Sequence, residues 1–379
     1  MNLKEKIGAI PSQKIREMIK AGHIKDADEK NIQPASLDLT VTDEAYQMKG
    51  TFLPRLGETI RDIIKRGVIC SVDLTQPLQR DGIYWIKLKE ELNLPKDIYA
   101  FSSNKSSTGR INLQTRLLSD YVPRFDRIHP RYQNSDSYQG SLWLEVIPRS
   151  FLVKLSPGDN LNQLRFFNGQ SRLSSEELKN IYSKYQLFFN EDGYSMPEEE
   201  VRIRDGDATL IMTVNLNIGE EEIVGYKAIH SNNVLEYQRE GYYSAEEFFE
   251  PIFTPKDGQL VLKRGEFYLL SAKEFIRVPP SFATEMVAYD ISSGEFRTHY
   301  AGFFDPGFGY GKEGEVKGTP AVLELRSFDN DFIIRNGQPI CKMVYDRLSE
   351  IPDLVYGQDS LGSHYAAQRG PRLSKHFRV

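Results

Sequence analysis

Cysteine is nearly missing from this 379-residue chain: Cys70 and Cys341 are the two. So sparse a set excludes a disulfide scaffold and suits a reducing compartment, so a cytoplasmic protein is expected. Histidine is scarce too. None of the six opens a His-x-Glu and no Cys-x-x-Cys occurs, which removes the zinc site that metal-dependent nucleobase deaminases rely on. No apolar run reaches the roughly eighteen residues of a membrane-spanning helix. The opening MNLKEKIGAIPSQKIREMIKAG lacks the apolar centre of a signal peptide and reads as a short amphipathic helix. An excess of positive charge is also absent. With 48 Lys and Arg against 53 Asp and Glu, the net charge of −5 gives no reason to expect nucleic acid as a partner. GFGYGKEG has Glu313 after Lys312, where a phosphate-binding Walker loop needs Ser or Thr, so that motif is excluded.

What is present is strand. GIYWIKL, LWLEVI, ATLIMTVNLNI, QLVLKRGEFYLL, AVLELRSF and PICKMVY are rich in β-branched and aromatic residues between short polar breaks. They predict a mainly β sandwich or barrel. The spacing of apolar residues predicts a few helices, in PSQKIREMIKAG, GETIRDIIKRG and SSEELKNIYSKYQLFF.

The chain also matches itself. LWLEVIPRSFLVKLSPGDNLNQLRFF (142–167) resembles VLELRSFDNDFIIRNGQPICKMVY (322–345), and Glu145 precedes Gly158 by the interval that separates Glu324 from Gly337. GIYWIKLKEELNLP resembles GEFYLLSAKEFIRVPP, and ASLDLTV resembles MTVNLNI, at a similar offset. A tandem duplication of one β-rich unit is the reading, with units at 1–170 and 205–379 and a partly helical linker at 171–204.

Two stretches carry chemistry. SSNKSSTGRINL sets Ser106, Ser107 and a glycine between Lys105 and Arg110, a composition suited to phosphate oxygens. HYAGFFDPGFGYG crowds Phe303, Phe304 and Phe308 around Asp305-Pro306-Gly307. Pro fixes φ and Gly supplies the permissive position of a tight hairpin turn, whose aromatic flanks form either plain core or a binding surface.

Taken in order, IQPASLDL, NKSSTGR, AGFFDPGFG, AVLEL and HYAAQRGP resemble the motifs of the dCTP deaminases, in the trimeric dUTPase superfamily. The resemblance implies two tandem dUTPase-like β-barrel or jelly-roll units with a few short helices. It implies hydrolytic deamination of dCTP to dUTP and ammonia, with Mg2+ bound through the triphosphate and no catalytic zinc. Glu324 falls on the family's proton-shuttling glutamate, and Ser106 and Arg110 on the pair that fixes the water and the charge beside it. Lys105, Ser107, Tyr356, His364 and Gln368 fall on nucleotide-holding positions. Ala301, Phe303, Phe304, Asp305, Gly307 and Phe308 fall on the hairpin that receives base and sugar. A homo-oligomer is implied, because sites in this superfamily lie between neighbouring subunits.

The departures carry information as well. In the first unit His129-Pro130-Arg131 stands where the hairpin has Asp-Pro-Gly, although Glu145 is kept. In the second, YDISSGEFRTHY replaces the serine motif, with Ser292, Ser293 and Arg297 at shifted spacing. Lys105 replaces an arginine and His364 a lysine. One composite site is therefore expected, joining the first unit's serine motif to the second unit's hairpin and glutamate. Two alternatives stay open: a dUTP pyrophosphatase or bifunctional enzyme using Asp305, and a nucleotide-binding relative without turnover.

Overall fold

The computed structural model describes residues 6–133, 137–201, 203–204, 206–289, 296–298, 302–357, 365 and 368–378. Ala301, His364, Ser292, Ser293 and the side chain of Arg297 lie outside the described residues. Among those described, no helix is long and apolar enough to cross a membrane.

The chain is mainly β. Its first half contributes β1 (Ser36–Met48), β2 (Tyr84–Pro95), β3 (Tyr99–Asn104), β4 (Leu113–Ser119), β5 (Arg127–Ile128), β6 (Ser137–Pro148) and β7 (Asn160–Phe167). These pair in the order β4-β6-β2-β1-β7-β3-β5. The second half contributes β8 (Thr209–Asn215), β9 (Phe267–Ile276), β10 (Phe282–Ala288), β11 (Phe296–Thr298), β12 (Phe303–Phe304), β13 (Thr319–Ser327) and β14 (Pro339–Arg347). Their pairings follow β11-β13-β9-β8-β14-β10-β12, the same path with every strand seven places later. Helices form at Ser12–Lys20, Ile60–Gly67 and Ser175–Tyr185, as the apolar spacing predicts. A further single turn at Ser106–Gly109 lies in the serine motif.

A shared device explains why both sheets bend where they do. The pairing of β2 with β6 slips between Lys87 and Glu91, and that of β9 with β13 slips between Ser271 and Phe275. In each unit a buried glutamate within the slipped stretch accepts from a threonine of the neighbouring strand. Glu90 takes the Thr40 N–H at 3.0 Å, and Glu274 takes the Thr213 N–H at 2.8 Å and its hydroxyl at 2.6 Å. Burial raises the pKa of both carboxyls, and these hydrogen bonds pull it part of the way back.

The two halves share an interior. Strand Leu152–Lys154 pairs in parallel with Val234–Glu236, and Phe151 meets Phe248 and Phe249 edge-on at 5.1 and 5.3 Å. Leu373 and Phe377 near the C-terminus pack into the same cluster as Leu37 and Leu164. The segment after Gln170 packs onto the second unit: its helix is closed by a Ser174–Glu177 capping box and buries Leu178 and Tyr182, while Phe188–Phe189 pairs with the end of β9.

The bulge glutamates predict a pH-dependent stability. Glu90 has a folded pKa above its unfolded one, so its contribution is full below about pH 4.5 and is lost as pH rises through the raised value. Glu90→Gln keeps an acceptor for Thr40, and its melting temperature at pH 8 should match or exceed wild type. Glu90→Ala should lose about 1–3 kcal/mol by stranding that N–H. Thermal melts at pH 5 and pH 8 read both effects.

Candidate functional site

The turn Ser106–Gly109 leaves β3 with its start pinned by the Lys105 N–H to Leu161 carbonyl bond, 3.1 Å. It is braced from the second unit at three points. Thr108 shares a hydrogen bond with the Tyr237 hydroxyl (2.9 Å), Ser107 with the Tyr365 hydroxyl (2.8 Å), and Ser374 donates to the Ser107 carbonyl (2.8 Å). So held, the turn aims Ser106 and Arg110 into a cavity whose other walls come from the second unit.

Opposite stands Glu324, in the middle of β13 and 5% exposed. Its Oε2 is buried with no hydrogen-bond partner among the described residues, and desolvation raises its pKa well above the usual carboxylate range, with Arg110 pulling it back. Room for this carboxylate exists because residue 109 is glycine. A Cβ there would collide with both carboxylate oxygens and lie 2.6 Å from Cδ.

Arg110 is held on three sides. It donates to the Arg372 carbonyl at 2.8 Å and to Gln368 Oε1 at 3.0 Å, and its guanidinium lies 3.8 Å from the centre of the Tyr365 ring. Gln368 in turn donates to the Pro320 carbonyl at 2.6 Å, next to the start of β13. The hairpin supplies the apolar wall. Phe304 meets Phe308 at 4.9 Å and Phe308 meets Tyr356 at 5.3 Å. Gly307, at φ +96°, makes the turn; a side chain there would be strained and would strike Val355.

Asp305 is fixed from below by a residue of the first unit. Arg165, on β7 and fully buried, donates to Asp305 Oδ1 (3.2 Å) and to the carbonyls of Phe304 (3.3 Å), Thr284 (3.0 Å) and Ala35 (3.2 Å). It also lies 4.1 Å from the centre of the Phe303 ring. Burial raises the pKa of Asp305, and Arg165 opposes that shift. Lys105 pairs with Asp38, of the PASLD stretch, close enough for both charges to act on Asp305.

The residues expected from sequence thus divide. Ser106, Arg110, Phe303, Phe304, Asp305, Phe308, Glu324, Tyr356 and Gln368 line one cavity, joined by Met286, Gly302, Val322 and Tyr365. Ser107, Lys105 and Gly307 do not line it: Ser107 is turned to Tyr365, Lys105 to Asp38, and Gly307 shapes the hairpin. Sequence reading missed Arg165, Tyr365 and the space left at Gly109. The signal for Arg165 was one arginine inside NLNQLRFF, a strand buried along nearly its whole length. Glu145, the first unit's counterpart of Glu324, accepts the Trp85 indole N–H at 3.1 Å.

A closed cleft between two β units, with a desolvated acid facing an arginine, defines a small-molecule site of composite construction. Comparison with known proteins gives the class a family. The family model of the 2'-deoxycytidine 5'-triphosphate deaminase N-terminal domain matches residues 6–170, and that of the C-terminal domain residues 174–377. The chain belongs to the 2'-deoxycytidine 5'-triphosphate deaminase family. A crystal structure of 2'-deoxycytidine 5'-triphosphate deaminase from Agrobacterium tumefaciens is similar over 92% of this chain and 100% of its own, with TM-score 0.81 and 33% identity. Among curated relatives, proteins named "dCTP deaminase, dUMP-forming" match from Bifidobacterium longum (34% identity over 124 residues) and Streptomyces avermitilis (36% over 125). Each match covers 32% of this chain and 60% of the relative, so the chain spans about three-fifths of the length of these curated relatives.

Removing the Arg165 guanidinium strands three buried carbonyls and a carboxylate. Arg165→Met should cost about 3–5 kcal/mol, and Arg165→Lys should recover only part, because one ammonium cannot reproduce the fork. Chemical denaturation of the two variants beside wild type measures this.

Proposed function

We propose that this chain is a dCTP deaminase whose site joins the serine turn of the first unit to the hairpin and Glu324 of the second. The observation that carries the reading is Glu324: a buried carboxylate with one oxygen unpartnered, lining a cavity with Ser106 and Arg110. In the reaction, water adds to C4 of cytosine and ammonia leaves, giving dUTP. Glu324 takes one proton from the attacking water and gives it to ring N3, then takes the second from the new C4 hydroxyl and gives it to the amine as the C4–N bond breaks. Desolvation raises its pKa and so strengthens it as a base, which suits a group that must both accept and return a proton. Ser106 and Arg110 hold the water and the charge that develops beside it, and Phe304 and Phe308 face the nucleoside. Mg2+ belongs to the substrate here, bound by the triphosphate oxygens.

The cavity measures about 60 Å³. That holds a water or two, whereas ligand pockets of this kind run to about 300 Å³ or more. Admission of a nucleotide therefore requires a wall to move. Tyr365 and Gln368 form one such wall, held to the serine turn by one hydrogen bond, to Arg110 by a hydrogen bond and a ring contact, and to the Pro320 carbonyl by another.

A second reading continues the reaction to dUMP. It is favoured by the names of the curated relatives and by Asp305, which lines the same cavity. Water would attack the α-phosphorus, positioned by Asp305, and pyrophosphate would leave. We further infer that the chain arose by tandem duplication. The repeated strand path and the paired bulge glutamates support this.

The test follows ammonia, dUTP, dUMP and pyrophosphate together from dCTP and Mg2+. Ammonia with accumulating dUTP supports deamination alone, and matching pyrophosphate supports the longer reaction. Glu324→Gln should lower turnover about 10³-fold, while Glu145→Gln leaves kcat near wild type. Equal losses from both would refute the single composite site.

Gly109→Ala offers an independent check. The added methyl should displace the Glu324 carboxylate and lower kcat about 10²-fold. Alanine is the better helix former, so the turn itself should not lose stability. Melting temperature and kcat, measured on one preparation, separate the two effects.

A further inference from the structure

The hairpin wall has a counterpart in the first unit, and it faces something different. Strand β5 pairs with β3 as β12 pairs with β10, and His129-Pro130-Arg131 follows it where Asp305-Pro306-Gly307 follows β12. The space beside it is an open cavity of about 670 Å³, an order larger than the composite site and within the range that holds a nucleotide.

The lining of that cavity is basic and aromatic. Lys96, Arg124, Arg127 and Arg131 converge on it with one carboxylate, Asp97, in a chain whose net charge is negative. Among the described residues none of these four cations makes an ion pair. Four cations drawn to one cavity repel one another, and an anion of several charges would offset that repulsion. Arg127 is already fixed: its guanidinium lies 3.6 Å from the centre of the Phe101 ring. Beside it Tyr99 stacks nearly parallel on buried Phe167 at 5.2 Å and on His129 at 5.7 Å. Both Tyr99 and His129 line the cavity. Burial, and Arg131 beside it, lower the pKa of His129, which favours the neutral imidazole and hence a flat stacking surface.

We propose that this cavity binds a nucleoside triphosphate, its base against the Tyr99–His129 stack and its phosphates on Arg127, Arg131, Arg124 and Lys96. The site is separate from the composite site and stands whether or not Glu324 is the catalytic group. The first unit's hairpin then supplies both a stacking face, at His129, and part of an anion cradle, at Arg131.

Calorimetric titration of the full chain with the eight common ribo- and deoxyribonucleoside triphosphates, and with sodium tripolyphosphate, tests the proposal. Host proteins are wild type, Arg110→Ala and Arg127→Ala/Arg131→Ala. At least one triphosphate should bind wild type and Arg110→Ala alike and bind Arg127→Ala/Arg131→Ala at least about tenfold more weakly. That double variant should keep dCTP turnover, which shows it to be folded and separates failure here from failure of the proposed activity. Tripolyphosphate binding as tightly as the best nucleotide would overturn the base-stacking part. No nucleotide sensitive to the double variant, or sensitivity to Arg110→Ala alone, would overturn the site.

Discussion

The fold's critical contact is a single cation in an unfavourable place. Arg165 carries its charge from β7 of the first unit into the base of the second unit's hairpin with no exposure to water. Taking such a charge out of water costs several kcal/mol, recovered only when its donors are met. Here they are met by Asp305 and by three carbonyls from separate stretches of chain. Each acceptor is fixed relative to the others by one planar group. The hairpin's position over the serine turn is therefore set by a residue that does not line the cavity.

The same economy of solvent shapes the chemistry. Glu324 would be an ordinary ionised carboxylate in bulk water. It is shielded from bulk water, because the serine turn, the hairpin and the tail close over it from three directions. Arg110 lies near enough to favour the anion, yet it spends its hydrogen bonds on Arg372 and Gln368 and its face on Tyr365. The acid is thus influenced by a cation without being neutralised by it. Removing the methyl group at position 109 is what permits the approach, so a glycine in an ordinary helical turn acts as space.

Much of this was legible in the chain, and the division has a physical basis. The serine turn and the Asp-Pro-Gly hairpin were visible as compact clusters of polar and turn-forming residues, and the strand glutamate through the resemblance of AVLEL to a family motif. The strands of both halves were visible as buried apolar runs, and the repeat as a fixed offset between them. Arg165, Tyr365 and the role of Gly109 were not, because each depends on a partner more than a hundred residues away in sequence. The partnership of Lys105 with Asp38, 67 residues away, was hidden in a similar way: a lysine beside serines reads as a phosphate ligand until the aspartate facing it is known. Only the folded pairing shows that its charge is shared.

The two glutamates at corresponding strand positions differ in what the facing strand offers them. Glu145 on β6 stands opposite Trp85 of β2, and Glu324 on β13 stands opposite Leu269 of β9. Tryptophan offers an indole N–H, and Glu145 takes it. Leucine offers nothing, so the oxygen of Glu324 is left to whatever enters the cavity. Burial raises the pKa of both acids, but only the second has capacity unspent. A satisfied buried carboxylate contributes to a sheet; an unsatisfied one costs stability and is retained where a ligand repays it. One cross-strand neighbour separates the glutamate that is hydrogen-bonded from the one whose oxygen is left unpartnered among the described residues.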